Sequence, residues 1–397
     1  MTTTINNEQK KLNVPNLRFP EFQGEWKKCK LEELSNKITR KNKGNAIQNV
    51  LSNSATLGLI PQNEYFDREI ANSNNTDSYY VIEYGDFVYN PRKSVSAPYG
   101  PVNIYTGNIK GIISPLYLCF SVHSILPSFL YYRFKSPAWF PYVYSHGDTG
   151  TRFDRVSIKD DVFFGMPIYM PSQKEQKKIS HLMSLLDKRI ATQNKIIEDL
   201  KKLKCAIIEK LYYKIQGKEY LYRQLFDVVN ERNKQMEYSN ILSASQEKGM
   251  VNRDDLNLDI QFERNNINTY KIVREGDYVI HLRSFQGGFA FSDKLGVCSP
   301  AYTILRPNSL LEYGYMSFYF TSQRFIKSLI IVTYGIRDGR SINVEEWLNM
   351  KIVVPSKEYQ LHTLNVLKSI DDKIVNEEMY ATCLSNQKQY LLHNMFI

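Results

Sequence analysis

At 397 residues the chain is long enough for two domains, each with a core of its own. Its formal net charge of +10 favours an anionic partner such as nucleic acid, an acidic protein or a membrane surface, although such a charge also serves solubility alone. The five cysteines are far apart and form no Cys-x-x-Cys pair, which argues against a disulfide framework or a structural zinc site. No apolar run approaches the roughly 20 residues that span a bilayer, so we expect a cytoplasmic protein without a membrane partner.

The first part of the chain predicts a polar tail and a mixed domain. Residues 1–16 have the composition of a disordered segment, and the first domain is expected over residues 17–170. Within it, short alternating runs in residues 79–90 predict strands around a turn at Gly85 and Asp86. Residues 128–140 predict a helix that ends at Pro137. The domain therefore combines helices and strands.

Residues 171–216 give the clearest helical pattern in the chain. Ser172 predicts the N-cap, and Glu175 three residues later predicts a capping box. Apolar residues then recur at spacings of three, four or seven, which is typical of a coiled coil. The stripe consists of Ile179, Leu182, Leu186, Ile190, Ile197, Leu200, Leu203, Ile207 and Leu211. A helix of about 60 Å cannot fold back into one small domain, so it must lie along a partner helix.

The second half of the chain repeats the first. Residues 341–356 match residues 157–172 at an offset of 184, and the match continues into a second long helix over residues 355–397. Between the helices, a second domain over residues 217–354 repeats the Gly-Asp turn at Gly276 and Asp277. The order is therefore domain, helix, domain, helix. The two helices bury their stripes most simply by packing antiparallel against each other, which relates the domains by a pseudo-two-fold axis.

This layout resembles the DNA specificity subunit of type I restriction–modification systems. The resemblance rests on the helix EQKKI…LLDKRI…LKKLKCAIIEKL, its weaker copy YQLHTL…SIDDKI…QKQYLLHNMF and the opening LRFPEFQGEWKKCKLEEL. It implies an α+β fold in which two tandem mixed α/β target recognition domains each read one half of a split DNA site. It also implies that the antiparallel coiled coil spaces the domains and that catalysis resides on modification and restriction subunits. S-adenosylmethionine, ATP and magnesium are then expected on those partners, with no cofactor on this chain.

Motifs for catalysis are missing from the sequence. It contains no phosphate-binding loop of the Gly-x-x-x-x-Gly-Lys-Ser/Thr type, and Gly287-Gly288 is an isolated pair rather than a nucleotide loop. Asn90-Pro91 is followed by Arg92-Lys93 and is better explained as a turn than as a methyltransferase motif. The six histidines show no metal-ligand spacing. We therefore predict no catalytic residue and no metal ligand.

Two loops at equivalent places in the repeat are candidates for reading bases. In residues 90–100 the candidate contacts are Arg92, Lys93, Ser94 and Tyr99, and in residues 281–288 they are Arg283, Ser284 and Gln286. Arginine bonds bidentately to guanine and glutamine to adenine, whereas a lysine such as Lys93 is more typical of a phosphate contact. The alternative is a pair of solvated surface loops.

A second pair of segments combines tyrosine, glycine and arginine before the repeated residues. Residues 144–152 end in Arg152, and residues 334–340 contain Arg337 and Arg340. Glycine lets a backbone approach phosphate closely, and the arginines would then reach backbone or base edge. A tight turn with a structural arginine explains the pattern equally well.

Charge on the first long helix is a third candidate feature. Residues 173–214 hold 11 lysines or arginines against five aspartates or glutamates. A solvated face, or one that meets acidic partner subunits, is favoured over a face that meets DNA. Two rival functions also remain: a coiled-coil adaptor without DNA readout, and a stand-alone DNA-modifying enzyme. The adaptor does not explain why the two candidate loops differ in polar residues while the surrounding sequence repeats, and the missing cofactor loops argue against the enzyme.

Overall fold

The computed structural model describes residues 13–62, 76–147, 154–245, 248–255, 264–281, 288–334 and 341–397. They form two compact units, each containing one sheet-rich part and a segment of both long helices. Unit 1 comprises Met1–Thr192 and Tyr380–Ile397, and unit 2 comprises Gln193–Met379. The predicted borders between recognition domains and helices stay a prediction, because the units divide the chain within the helices.

Among its described residues, unit 1 contains ten strands, three short α-helices, the start of the first long helix and the end of the second. The strands are β1 (Lys27–Lys30), β2 (Ser35–Lys37), β3 (Leu51–Ser54), β4 (Gly58–Pro61), β5 (Tyr80–Ile82), β6 (Phe87–Tyr89), β7 (Val102–Ile104), β8 (Gly111–Ile113), β9 (Leu118–Val122) and β10 (Pro167–Met170). The helices are α1 (Pro127–Lys135), α2 (Phe140–His146), α3 (Asp160–Phe164) and the long α4 (Gln173–Leu211). Four strands form an antiparallel sheet in the order β2-β9-β6-β7.

The central strand β6 shows why this sheet is stable. Phe87, Val88 and Tyr89 are all buried, because successive side chains of a strand point to opposite faces of the sheet. Phe87 and Tyr89 join the larger core with the short helices, and Val88 joins a smaller core on the other face. Phe87 also stacks on Phe120 of β9, its register partner, with 5.2 Å between ring centroids. The sheet is therefore packed on both faces.

Unit 2 repeats this architecture. Its strands are β11 (Lys218–Leu221), β12 (Phe226–Val229), β13 (Leu242–Ser245), β14 (Gly249–Asn252), β15 (Lys271–Val273), β16 (Tyr278–Ile280), β17 (Phe289–Phe291), β18 (Gly296–Cys298), β19 (Thr303–Pro307), β20 (Thr333–Tyr334), β21 (Ser341–Ile342) and β22 (Lys351–Val354). Its helices are α5 (Tyr315–Tyr319), α6 (Gln323–Ser328), α7 (Val344–Leu348) and the long α8 (Lys357–Asn394). The sheet order β12-β19-β16-β17 matches that of unit 1 strand for strand. The predicted duplication is confirmed.

The Gly-Asp turn is confirmed in both units. Gly85 and Gly276 have φ values of 90° and 93°, a conformation that favours glycine. The Asp86 carboxylate accepts a hydrogen bond from the Glu83 N–H at 2.7 Å, and Asp277 accepts one from the Arg274 N–H at 2.9 Å. The strands around each turn do not pair with each other: β5 pairs with β8, and β6 pairs with β7 and β9.

The long helices begin as the sequence predicts, with one correction. Ser172 Oγ accepts a hydrogen bond from the Glu175 N–H, and Ser356 Oγ accepts one from the Tyr359 N–H, both at 3.3 Å. The predicted capping box is wrong in its second half. The buried Glu175 carboxylate accepts from Arg18 Nε at 2.7 Å and from Trp26 Nε1 at 3.3 Å, because a pairing with a cation offsets the cost of burying its charge.

Antiparallel packing of the two long helices is confirmed within each unit. In unit 1, Asp187 of α4 pairs with Lys388 of α8, and Ile179 packs in the same core as Leu392. In unit 2, Lys204 of α4 pairs with Asp371, and the Tyr359 hydroxyl donates to the Leu211 carbonyl at 2.8 Å. Residue numbers rise along one helix as they fall along the other, which defines antiparallel neighbours.

Each helix start is fixed to its sheet-rich part by a buried glutamine. Gln176 Oε1 accepts from the Leu126 N–H at 2.8 Å, and Gln360 Oε1 accepts from the Glu312 N–H at 2.7 Å. The amide nitrogens donate to Pro171 and Pro355 carbonyls in the same manner. Because these glutamines are almost fully buried, every bond they make matters for stability. The helix and the sheet-rich part are thereby held in one orientation within each unit.

Candidate nucleic-acid interface

The basic loop of unit 1, residues 90–100, joins β6 to β7 and has a defined backbone. The Asn90 N–H donates to the Pro101 carbonyl at 3.0 Å, which closes the base of the loop. Gly100 has a φ of +84°, and a Cβ there would meet the Asn90 carbonyl oxygen at 2.1 Å. Near the tip, Ser94 and Ala97 exchange both backbone hydrogen bonds. The chain is therefore held as a narrow protrusion that only glycine can close.

The polar side chains of this loop differ in their exposure to solvent. The Arg92 side chain is 68% exposed, and its Nε lies 3.7 Å from Asp154 Oδ2. An exposed pair at this distance contributes little, so the guanidinium remains available to a ligand. Ser94 is exposed and Lys93 half-buried. The roles predicted for these three residues in DNA contact stay predictions.

Tyr99 differs from its neighbours because its ring belongs to the core. The ring lies 5.0 Å from that of Phe140 and 6.5 Å from that of Trp139, measured between centroids. Its carbonyl accepts a hydrogen bond from the Tyr89 hydroxyl at 2.9 Å. Tyr99 therefore anchors the loop to the short helices, and its predicted contact with DNA stays a prediction.

The structure brings the basic loop together with residues that come shortly after another predicted segment of unit 1. Residues 154–156, which follow the segment ending in Arg152, run antiparallel to the start of the basic loop. The Lys93 N–H donates to the Asp154 carbonyl at 2.8 Å, and the Val156 N–H donates to the Pro91 carbonyl at 2.9 Å. Two stretches more than 50 residues apart thus form one surface.

Arg155 was missed by the sequence reasoning. It pairs with Arg92 in an isolated antiparallel bridge, so both arginines belong to this surface. Its Nε is buried and has no hydrogen-bond partner among the described residues. The available signal was a second arginine three residues after Arg152, but the distance to residue 92 along the chain hid it.

Most predicted contacts of the other loops fall outside the described residues. These are Arg152, Arg283, Ser284, Gln286, Arg337 and Arg340. The positions that flank them are described. The His281 N–H donates to the Gly288 carbonyl at 2.8 Å and closes the loop between β16 and β17, as Asn90 does in unit 1. Residues 335–340 are flanked by the antiparallel pair β20 and β21.

Part of the positive charge on helix α4 is balanced within the protein. Lys202 pairs with Glu198 on the same helix, and Lys201 pairs with Glu378 of α8 at 2.7 Å. Lys204 pairs with Asp371. Glu378 and Asp371 lie on α8, outside the residues counted for the first helix, so that count overstates the charge that the helix offers to DNA.

The described residues contain neither a cluster of metal-binding side chains nor a helix able to span a membrane. Across the described ranges, no three histidine, cysteine, aspartate or glutamate side chains cluster in a way that could hold a metal ion. Among the same residues, no helix has the length and apolar character to cross a bilayer.

Comparison with known proteins places the fold. No protein-family model and no curated sequence matches the chain. Solved structures do match it, among them the following three. A chain from a study of complex assembly and conformational transition of the type I R-M system is 14% identical, with a TM-score of 0.60 over 92% of this chain and 96% of that chain. The HsdS subunit from Thermoanaerobacter tengcongensis is 15% identical, with a TM-score of 0.50 and coverages of 94% and 96%. The type I restriction–modification S subunit from M. genitalium is 13% identical, with a TM-score of 0.51 and coverages of 97% and 99%.

The structural similarity to these three chains defines the class of fold, which has two sheet-rich domains, each followed by a long helix. The chain has the fold of the type I restriction–modification S subunits over 92% or more of its length. The fold class and the resemblance predicted from the sequence are confirmed.

Proposed function

We propose that this chain is the DNA specificity subunit of a type I restriction–modification complex. The observation that carries the proposal is a complete architecture built twice in one chain, with the fold of S subunits over nearly its whole length. Both units carry a loop closed by an equivalent backbone hydrogen bond at the same strand ends. The residues in those loops differ, as two readers of different half-sites require.

Each unit would read one half of a bipartite, asymmetric site on double-stranded DNA. In unit 1 the surface is formed by Arg92, Lys93, Ser94 and the adjoining Arg155. In unit 2, Arg283 and Gln286 on the loop after β16 would contact guanine and adenine edges. The long helices would hold the readers and offer docking surfaces to modification subunits.

The chain itself would be non-catalytic and cytoplasmic. Modification subunits would supply methylation of adenine with S-adenosylmethionine, and restriction subunits would supply ATP- and magnesium-dependent translocation and cleavage. This division of labour fits a chain whose described residues hold no metal-ligand cluster and whose sequence has no phosphate-binding loop. This chain would recognise the DNA, and its partners would catalyse the reactions.

A genome-wide adenine-methylation map tests the proposal. In a host that expresses the complete system, we expect one split, asymmetric motif that disappears when this chain is deleted. A palindromic motif would refute the assignment of different half-sites, and a motif that survives deletion would refute the specificity role. Methylation by the purified chain alone would support the rival enzyme, and a complex that assembles without shifting DNA would support the rival adaptor.

A further inference from the structure

The tip of the basic loop carries an apolar side chain that was not among the contacts predicted from the sequence. Val95 lies between Ser94 and Ser96, and its exposed fraction is 106%. Among the described residues, the next most exposed large apolar side chain is Tyr144, at 78%. Single exposed apolar residues are common on protein surfaces, so exposure alone assigns no role to Val95. Its position in the loop is what distinguishes it.

Val95 belongs to a tight turn whose backbone is fixed. The Ala97 N–H donates to the Ser94 carbonyl at 3.1 Å, and the Ser94 N–H donates to the Ala97 carbonyl at 3.0 Å. Ser94 Oγ also accepts from the Ala97 N–H at 3.1 Å and lies 3.3 Å from Ser96 Oγ. These contacts account for both serines, whereas valine is a poor turn former because its branched side chain favours strands. Neither the turn nor the core therefore explains a valine at position 95.

The rest of the loop holds Val95 within a short distance of two cations. The Lys93 N–H donates to the Asp154 carbonyl at 2.8 Å, and Arg92 pairs with Arg155 in an antiparallel bridge. Three residue steps separate Arg92 from Val95, which is at most roughly 10 Å of extended backbone. This length is comparable with the depth of the DNA major groove, about 8.5 Å. An arginine at the phosphates of the groove rim would thus place Val95 close to the base edges.

The shape of the loop and the chemistry of valine select one groove and one base. A two-stranded ribbon fits the major groove, which is about 12 Å wide, and is too broad for the minor groove, which is about 6 Å wide. Valine neither donates nor accepts a hydrogen bond, so it cannot read the polar edges of the bases. Of the four bases, only thymine presents a methyl group in the major groove. The stiff, branched side chain of Val95 offers an apolar surface that matches this methyl group.

We infer that Val95 reads a thymine in the half-site of unit 1 by packing on its C5-methyl group. This inference rests on the proposed function and adds a specificity-determining residue to it. Arg92 and Lys93 would hold the loop on the DNA, and Val95 would distinguish the base. An apolar side chain can also act as a wedge between base pairs, but the usual wedges are larger residues such as phenylalanine, leucine or methionine. Valine extends only one carbon beyond Cβ, which suits contact with a base edge.

The first measurement maps the methylated motif produced by the complete methyltransferase, which contains this chain and its modification subunits. We expect an A·T pair at one position of one half-site, and Val95→Ala should relax that position alone. Because Val95 is fully exposed, the substitution should leave the thermal unfolding midpoint unchanged. Val228→Ala is the matched control, since Val228 is a 52% exposed valine of β12 in unit 2. It should leave the motif unchanged.

The second measurement removes the methyl group from the DNA. Each thymine of the motif is replaced in turn by deoxyuridine, which lacks the C5-methyl group, and binding of the complex is titrated. One replacement should weaken binding by the unchanged complex about fourfold, as the loss of one buried methyl group predicts. The same replacement should not weaken binding by the Val95→Ala complex any further, because the contact is already absent.

Three results would overturn the inference. The first is a deoxyuridine effect of equal size in the unchanged and the Val95→Ala complexes, since Val95 and the methyl group would then act independently. The second is an unchanged motif in the Val95→Ala complex. The third is weaker binding of that complex to all sequences together with a smaller DNA bend, which would identify Val95 as a wedge. All three leave the proposed function intact, whereas a motif that survives deletion of this chain would refute the proposed function itself.

Discussion

The folded environment of Lys135 lowers the pKa of its amine. Its amine lies against buried Asn103 and near a second amine, that of Lys388. Burial first, and then the Lys388 charge, lower the pKa of Lys135 to about 8, while Asp187 opposes both effects. Between this pKa and the usual lysine value, the unfolded chain binds more protons at this group than the folded chain. The contribution of Lys135 to stability therefore rises with pH across that window.

We expect Lys135 to react with an amine-specific reagent at lower pH than the exposed lysines do. The measurement is competitive acetylation across pH 6–11 followed by mass spectrometry, with a midpoint for Lys135 near pH 8. Lys202, whose pKa is raised by its hydrogen bond with Glu198, is the internal control. Lys388→Met should raise the midpoint, because a like charge is lost and Asp187 is freed. A Lys135 midpoint equal to that of Lys202 would show that burial does not tune this amine.

At the residue scale, the sequence did not show which side chains of the basic loop pack inward. It grouped Arg92, whose side chain is 68% exposed, with Tyr99, whose ring packs against the core, and the contact of either residue with DNA stays a prediction. The sequence alone does not distinguish a tyrosine on a loop tip from one whose ring fills a core, because that depends on Trp139 and Phe140 some 40 residues away. Arg155 was missed for the same reason: its neighbour in space is distant in the chain.

At the scale of elements, periodic and local signals were reliable and predicted the pairing of the two long helices, whereas the pairing of the strands was not predicted. The helix starts at Ser172 and Ser356 follow from capping chemistry, which involves neighbours in sequence. The pairing of β1 with β10 could not be read from the sequence, because short strands are specified by what packs on them. Leu203 of the predicted stripe is 51% exposed, while Met183 outside it is fully buried.

The end of helix α8 is expected to stabilise unit 1 specifically. Phe396 is buried, and its ring centroid lies 5.4 Å from that of Phe129, while the nearby Asn394 carbonyl accepts from the Leu17 N–H. Phe396→Ala should cost about 3–5 kcal/mol in the free energy of unfolding of unit 1, as a large-to-small core change does. Hydrogen exchange measured during urea unfolding reports the loss of stability separately for unit 1 and unit 2.

Tyr390→Ala, on the same helix at a position that is 61% exposed, should change stability by about 0.5 kcal/mol or less. If Phe396→Ala and Tyr390→Ala lowered the free energy of unfolding equally, the burial of Phe396 would not be the cause of its effect. If unit 2 lost as much protection as unit 1, Phe396 would act on the whole chain rather than on the unit that buries it.

At the scale of the whole molecule, the duplication shows which interactions occur in both units and which residues differ between them. An exposed ion pair in unit 1 joins Arg40 to Glu83, and its equivalent in unit 2 joins Glu231 to Arg274 with the charges exchanged. The ion pair is therefore retained at this position in both units, although both of its residues differ. Net charge summed over the chain therefore says little about where an anion binds, and local placement decides it.

The importance of local charge placement leads to a prediction about the salt dependence of DNA binding. If Arg92 and Lys93 contact DNA phosphates or base edges, the double variant Arg92→Ala/Lys93→Ala should bind specific DNA more weakly. Each lost phosphate contact should reduce the magnitude of the log–log salt slope by about 0.9. The methylated motif should relax in one half only, because the loop belongs to one unit. Lys27→Ala/Lys28→Ala removes the same charge from exposed positions of β1 and should leave slope and motif nearly unchanged. Equal effects from both variants would instead assign binding to the overall charge of +10, and the basic loop would then lose its role as a reader.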